Sequence, residues 1–159
     1  MSNYMKLEIA AKGENEGFAR SAVAAFALCL NPSLSELSDI KTAVSEAVTN
    51  CVVHAYTNEK QEKNKIFIEC EMEKKESKGG FLHITITDYG CGIEDVDKAV
   101  LPFFTTLSSD ERSGMGFTIM QTFMDDFSIE SKKGEGTKVC MTKKISIAEN
   151  DEVRKRANA

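Results

Sequence analysis

Tryptophan is absent from this chain of 159 residues, and proline and histidine occur twice each. With only Pro32 and Pro102 to break them, long regular elements are open to most of the sequence. Basic charge is in short supply: 20 Lys and Arg stand against 25 Asp and Glu, a net charge of −5. That balance excludes a broad phosphate-neutralising surface, so no direct contact with nucleic acid is expected. Long apolar runs are missing as well. The run 22–30 falls well short of the roughly 20 residues that span a bilayer as a helix. No basic segment precedes it, and Asn31-Pro32 follows where a signal cleavage site needs small residues. Neither membrane association nor export is expected, and the expected location is the cytoplasm.

Paired-cysteine motifs are missing too. The five cysteines are odd in number and include no CxxC. Cys29, Cys51, Cys70 and Cys140 fall inside apolar helix or strand patterns, which reads as reduced thiols rather than a disulfide frame or a zinc site. Cys91 differs by lying in a Gly-rich loop.

What is present is an ordinary globular balance, 42% hydrophobic and 28% charged. It fits one domain over residues 1–147, followed by a polar tail over 148–159. Residues 5–11 alternate as an edge strand. Residues 15–30 read as a helix, with Phe18, Ala22, Phe26 and Leu30 recurring every fourth position. That helix is apolar on most sides, as expected for burial or for covering a partner. Asn31-Pro32 ends it, and Ser33 with Glu36 has the spacing of a capping box for a second helix over 34–56. Alternating strands follow at 65–73 and 81–87, then a Gly/Ser/Thr-rich stretch containing a short helix at 94–100. A helix over 116–125 and strands at 126–132 and 137–145 complete the order β-α-α-β-β-α-β-β. The expected class is α+β: a two-layer αβ sandwich, its mixed, mostly antiparallel sheet carrying helices on one face. The exposed edge strand gives a physical reason to expect a homodimer.

Four short pieces carry candidate chemistry. Glu46, Asn50 and His54 are spaced i, i+4, i+8 and share one face of a regular helix. A carboxylate beside a carboxamide can supply a base and a cation ligand, although a solvated polar face has the same pattern. Asp88 ends an apolar strand and opens Asp88-Tyr89-Gly90-Cys91-Gly92, where Gly90 and Gly92 permit positive φ and close approach to a ligand. Taken alone, this is a tight turn. The segment from Pro102 through Thr105, Thr106 and Arg112 is long and irregular, and it leads into Gly114-Met115-Gly116 before a helix. A Gly-rich loop opening a helix presents backbone N–H groups to phosphate. The fourth piece, Gly134-Glu135-Gly136-Thr137, lies in the last hairpin. Arg20 is the lone cation of the first helix, either a solubility residue or an anchor for acidic groups of a partner.

In this order the set resembles the ATP site of the GHKL superfamily, whose members include gyrase, histidine kinases and mismatch-repair proteins. No GxxxxGK followed by Ser or Thr occurs, so a P-loop is excluded. Gyrase-type chains carry further domains, and histidine kinases need a phosphoacceptor helix pair for which there is no room here. The pieces SEAVTN, FFTT, ERSGMGFTIMQTFMDD and GEGT resemble the anti-sigma F factor family of spore-forming bacteria. General-stress anti-sigma kinases are the nearest alternative.

The resemblance implies a Bergerat fold binding ATP or ADP with Mg²⁺. Asn50 would hold the metal and Glu46 would act as general base. Asp88 would accept from the adenine amine, Gly90 and Gly92 would lie near the base, and Thr137 would support that contact. Gly114, Met115 and Gly116 would meet the phosphates beneath a lid over 94–113 that carries Thr105, Thr106 and Arg112. It implies a protein-serine kinase acting on an anti-anti-sigma protein while also holding a sigma factor. A nucleotide-gated sigma binder without kinase activity is the competing reading, and the presence of Glu46 speaks for the enzyme.

Overall fold

A computed structural model describes residues 3–56, 64–75, 79–102 and 114–146. The elements are strand β1 (Asn3–Ala10), helices α1 (Glu16–Ala27) and α2 (Leu34–Asn50), strands β2 (Lys65–Lys74) and β3 (Gly80–Asp88), a single-turn helix α3 (Val96–Ala99), helix α4 (Gly116–Phe123), and strands β4 (Asp126–Lys132) and β5 (Gly136–Ile145). The element order follows the sequence pattern. The expected tail over 148–159 lies outside the described residues, as do residues 103–113.

The five strands form one sheet in the order β1-β2-β3-β5-β4. All four ladders are antiparallel, so the sheet is antiparallel throughout rather than mostly so. Its register follows from the alternation. Ile66, Ile68, Cys70 and Met72 of β2, with Leu82, Ile84 and Ile86 of β3, are buried on the face that meets the helices. A one-residue slip in either strand would expose the whole set. β1 pairs on one side only, with Ile9 opposite Ile66. On the outer face of the sheet, Lys6 pairs with Glu69 across strands and Lys65 with Glu8.

The helical layer is built from small residues. Ala19, Val23, Ala24 and Ala27 of α1 and Ala43, Val44, Ala47 and Val48 of α2 are buried, which lets the two helices approach closely. α1 is shorter than the periodicity predicts: residues 13–15 before it and 28–30 after it are 3-10 turns. Asn31, at φ 54°, reverses the chain, and Pro32 then bars further helix. The capping box at Ser33 forms. The Glu36 N–H donates to Ser33 Oγ at 3.2 Å, and the Ser33 N–H donates to Glu36 Oε2 at 2.7 Å. The second carboxylate oxygen of Glu36 accepts the Ser146 N–H at 2.9 Å, tying the start of α2 to the end of β5. Burial pushes the Glu36 carboxyl up, but these donors outweigh it and hold it below its ordinary value.

All five cysteines are free thiols. Cys29 is exposed rather than packed, because it falls in the 3-10 turn where the four-residue period of α1 has ended. Burial raises the Cys70 thiol to about 12.

Lys143 bolts the two layers together. Its ammonium donates to Asp39 Oδ2 of α2 at 2.9 Å and to the Phe123 carbonyl, the last residue of α4, at 2.7 Å. Both partners of the ion pair are shielded, with side chains 12% and 25% exposed. Replacing Lys143 by alanine leaves a partly buried carboxylate and an uncapped helix end. The expected loss is roughly 2 kcal/mol, against less than about 0.5 kcal/mol for a plain surface substitution, read as urea midpoints at constant m-value.

Candidate functional site

Two clusters of the candidate residues form, and they meet at the C-terminal end of α2. The first comprises Glu46, Asn50 and Gly116. Glu46 and Asn50 lie one turn apart on α2, both half-buried. Gly116 opens α4, and its missing side chain is what admits the pair. A Cβ at Gly116 would stand 3.2 Å from Glu46 Oε2 and 3.3 Å from both Asn50 amide atoms. The N-terminus of α4, with its unpaired N–H groups and positive dipole end, is thus set against a carboxylate and a carboxamide. Gly114, at φ 64°, and Met115 shape the entry to α4.

The helix changes character between Asn50 and His54. The α-helix ends at Asn50, and residues Cys51–Ala55 form a wider π turn. The same turn directs free carbonyl groups at the loop after β3. The Cys91 N–H donates to the Ala55 carbonyl at 2.7 Å, and Cys91 Sγ approaches the His54 carbonyl at 3.1 Å.

The second cluster is Asp88, Gly90, Gly92 and Thr137. Asp88 closes β3 and is 3% exposed. Its Oδ1 accepts the Gly90 N–H at 3.0 Å. Burial is the largest influence on its carboxyl and raises it; donors at Gly90, Cys51 and Thr137 offset only part of that. The buried Cys51 thiol, itself raised well above its usual value by burial and by Asp88, joins the two clusters because it directly follows Asn50.

The glycines of this loop make close approaches to protein backbone. Gly90 does not adopt positive φ, and its Cβ would stand 2.1 Å from the Ala55 carbonyl oxygen. Gly92 does, at φ 68°, and its Cβ would meet the Lys132 carbonyl oxygen at 2.0 Å. Gly136, at φ 92°, packs equally tightly on the Asp88 carbonyl. The loop is therefore wedged between the π turn and the β4–β5 hairpin, with no room for a side chain on either flank.

Sequence reasoning missed two residues that lock this arrangement. The Tyr56 hydroxyl donates to the Lys65 carbonyl at 2.6 Å and accepts the Tyr89 N–H at 2.9 Å. No sequence signal marks it. The Ser131 hydroxyl contacts the Gly136 carbonyl at 2.8 Å and Thr137 Oγ1 at 2.9 Å, and accepts the Ile93 N–H at 2.8 Å. Its signal was legible: Ser131 is a polar residue at the inward position that follows Phe127 and Ile129 on β4. Thr137 is thus held by Ser131 beside Asp88. Arg20 sits apart on α1, half-exposed and paired with Glu16 at 3.2 Å. Thr105, Thr106 and Arg112 lie outside the described residues.

The structure thus sets a carboxylate and a carboxamide of α2 over an antiparallel sheet whose strand β3 ends in a buried aspartate. The sequence matches the histidine kinase-like ATPase domain family over residues 9–143, and the chain belongs to that family. Within it, the curated relatives that the chain resembles include anti-sigma F factors. That of Caldanaerobacter subterraneus subsp. tengcongensis is 52% identical over 145 residues, covering 91% of this chain and 95% of the relative. That of Thermoanaerobacter pseudethanolicus is 50% identical over 144 residues, with the same coverage. A crystal structure of the RsbU and RsbW domains of a Mycobacterium tuberculosis protein shares the fold, at TM-score 0.58 and 17% identity, over 91% of this chain and 33% of that one.

Two outcomes test the geometry of the loop. Gly92→Ala forces a side chain into positive φ and onto the Lys132 carbonyl, and is expected to cost at least about 2 kcal/mol in chemical unfolding. The raised carboxyl of Asp88 makes the opposite kind of prediction. A group raised in the folded state stabilises below its unfolded pKa, and that contribution is lost as pH rises through the folded pKa. The Tm of the wild-type protein minus that of Asp88→Asn should therefore increase as pH falls from 7 toward 4.5.

Proposed function

We propose that this protein is an ATP-dependent serine-protein kinase that also acts as an anti-sigma factor. It binds a sporulation sigma factor in the cytoplasm and phosphorylates a serine of an anti-anti-sigma protein, working as a homodimer. The observation that carries the reading is the approach of Gly116 to Glu46 and Asn50, at 3.2 and 3.3 Å from its Cβ position. It sets a general base and a cation ligand against a helix N-terminus suited to phosphate. Identities of about 50% with curated anti-sigma F factors over nine-tenths of the chain support the partner class.

Each residue then has a task. Asp88 accepts from the exocyclic amine of adenine, which selects against guanine, whose oxygen at that place would face a carboxylate. Thr137, held by Ser131, supports that contact, and Gly90 and Gly92 fix the loop that bounds the base. Gly114, Met115 and Gly116 offer N–H groups to the phosphates. Glu46 takes the proton of the attacking serine hydroxyl. Among the described residues no group of three or more His, Cys, Asp or Glu is placed to hold a metal ion; a divalent ion here would be held by Asn50 together with nucleotide phosphates and water. That donor set fits Mg²⁺, which when bound supplies charge neutralisation at the phosphates. Thr105 and Thr106 are proposed lid contacts, and Arg20 a contact for acidic partner groups.

The kinase is tested with γ-labelled ATP, Mg²⁺ and candidate anti-anti-sigma proteins, with sigma-factor capture measured in parallel. Glu46→Gln should keep nucleotide affinity and lower transfer by about 100-fold or more. Absence of transfer from wild type, with sigma capture intact, would reduce the protein to a nucleotide-gated binder. Gly116→Ala separates fold from site. Alanine is the better helix former by about 1 kcal/mol, so thermal stability should hold while transfer falls at least about tenfold.

A further inference from the structure

Arg20 does not stand free on α1. Its Nη1 donates to both carboxylate oxygens of Glu16, at 3.2 and 3.4 Å. Its Nη2 lies 3.9 Å from where a Cβ of Gly17 would be, so the guanidinium folds back along the helix over a residue without a side chain. Glu16 has a second engagement. Oε1, which accepts from Arg20, also accepts from the Ser45 hydroxyl of α2, across 29 positions of sequence. Ser45 immediately precedes Glu46. Beneath this polar contact the α1–α2 interface is apolar and alanine-rich, with Ala19, Val23, Ala27, Ala43, Val44 and Ala47 all buried.

We propose that Glu16 is a positioning residue that joins Arg20, on the outer surface of α1, to the turn of α2 carrying Glu46, so that an acidic side chain of the protein acceptor engaging Arg20 is felt at the base. This rests on the reading of Glu46 as the base of phosphoryl transfer. One oxygen shared by two donors is the physical link. When a partner carboxylate draws Arg20 away, Glu16 Oε1 is left to Ser45 alone. A carboxylate with one donor fewer is the stronger acceptor for the donor that remains. Ser45 is then held more firmly, and with it the orientation of the next residue along the helix. The acceptor thus organises the site it is about to use, and the sign of the coupling is positive.

The test compares Ser45→Ala, Ser45→Thr, Glu16→Ala, Arg20→Ala and the double variant Glu16→Ala/Ser45→Ala in two measurements. In the first, Ser45→Ala is expected to lower kcat of transfer about fivefold with the acceptor KM within about twofold. Ser45→Thr, which keeps the hydroxyl, restores kcat to within about twofold. The double variant falls no further than the worse single variant, as expected for two ends of one contact. In the second, amide hydrogen exchange over residues 45–50 quickens about tenfold in Ser45→Ala and Glu16→Ala and slows in Arg20→Ala. Faster exchange in Ser45→Ala runs against the higher helix propensity of alanine, so propensity cannot produce it. An active wild type with kcat unchanged in Ser45→Ala, or with additive losses in the double variant, overturns the proposal. If wild type transfers label to no acceptor, the kinase reading falls and exchange alone decides. Exchange at 45–50 that is unchanged in Glu16→Ala then overturns the link between the helices as well.

Discussion

Everything around the candidate site depends on how the end of α2 receives the loop that leaves β3. The π turn at Cys51–Ala55 presents carbonyl groups that no further helix can satisfy. The loop supplies the missing donor through Cys91 and comes within backbone contact at Gly90. Its other flank is closed by the Gly134 N–H, which donates to the Cys91 carbonyl at 2.7 Å. A helix end, a strand end and a hairpin are thereby fixed to one another by main chain. Asp88 and Asn50, from different layers, then keep a constant separation through Cys51. Such positioning needs few side chains, which is why the glycines matter more here than any bulky residue.

The same junction explains the state of Asp88. A carboxylate 3% exposed, with burial as its largest influence, is held at a cost to the fold. No described cation is bonded to it to relieve that cost. The donors it has, the Gly90 and Thr137 N–H groups and the Cys51 thiol, are neutral. A buried acceptor only partly compensated by its own protein is suited to a ligand that brings a donor, since binding then recovers what folding gave up.

How much of this the sequence carried can be followed residue by residue. Alternation in 65–73 and 81–87 fixed both strands and their inward faces, because burial on one side leaves only one register. Ser33 and Glu36 marked the start of α2, since a capping box is a local signal with local partners. The face shared by Glu46 and Asn50 was legible from helical spacing. The π turn that carries His54 was not, because its partner is the 88–92 loop, a contact distant in sequence. The purpose of Gly90 and Gly92 was half legible. Their composition announces close approach, but only the assembled fold identifies the approaching groups as the carbonyls of Ala55 and Lys132. The contribution of Tyr56 likewise arises from tertiary contacts, whereas Ser131 was marked by its inward position on β4.

α4 is a rod of eight residues, about 12 Å long at the usual helical rise. Lys143 clamps its last carbonyl to α2 and β5, and the buried Met120 seats its underside in the core. Its other end begins just after Gly114, a residue in the left-handed region. That tip is Gly116, beside Glu46 and Asn50. Next to that tip Phe117 packs against Phe127 of β4, with ring centroids 6.1 Å apart. The first turn of α4 is therefore placed beside the α2 pair by the same core that seats the sheet.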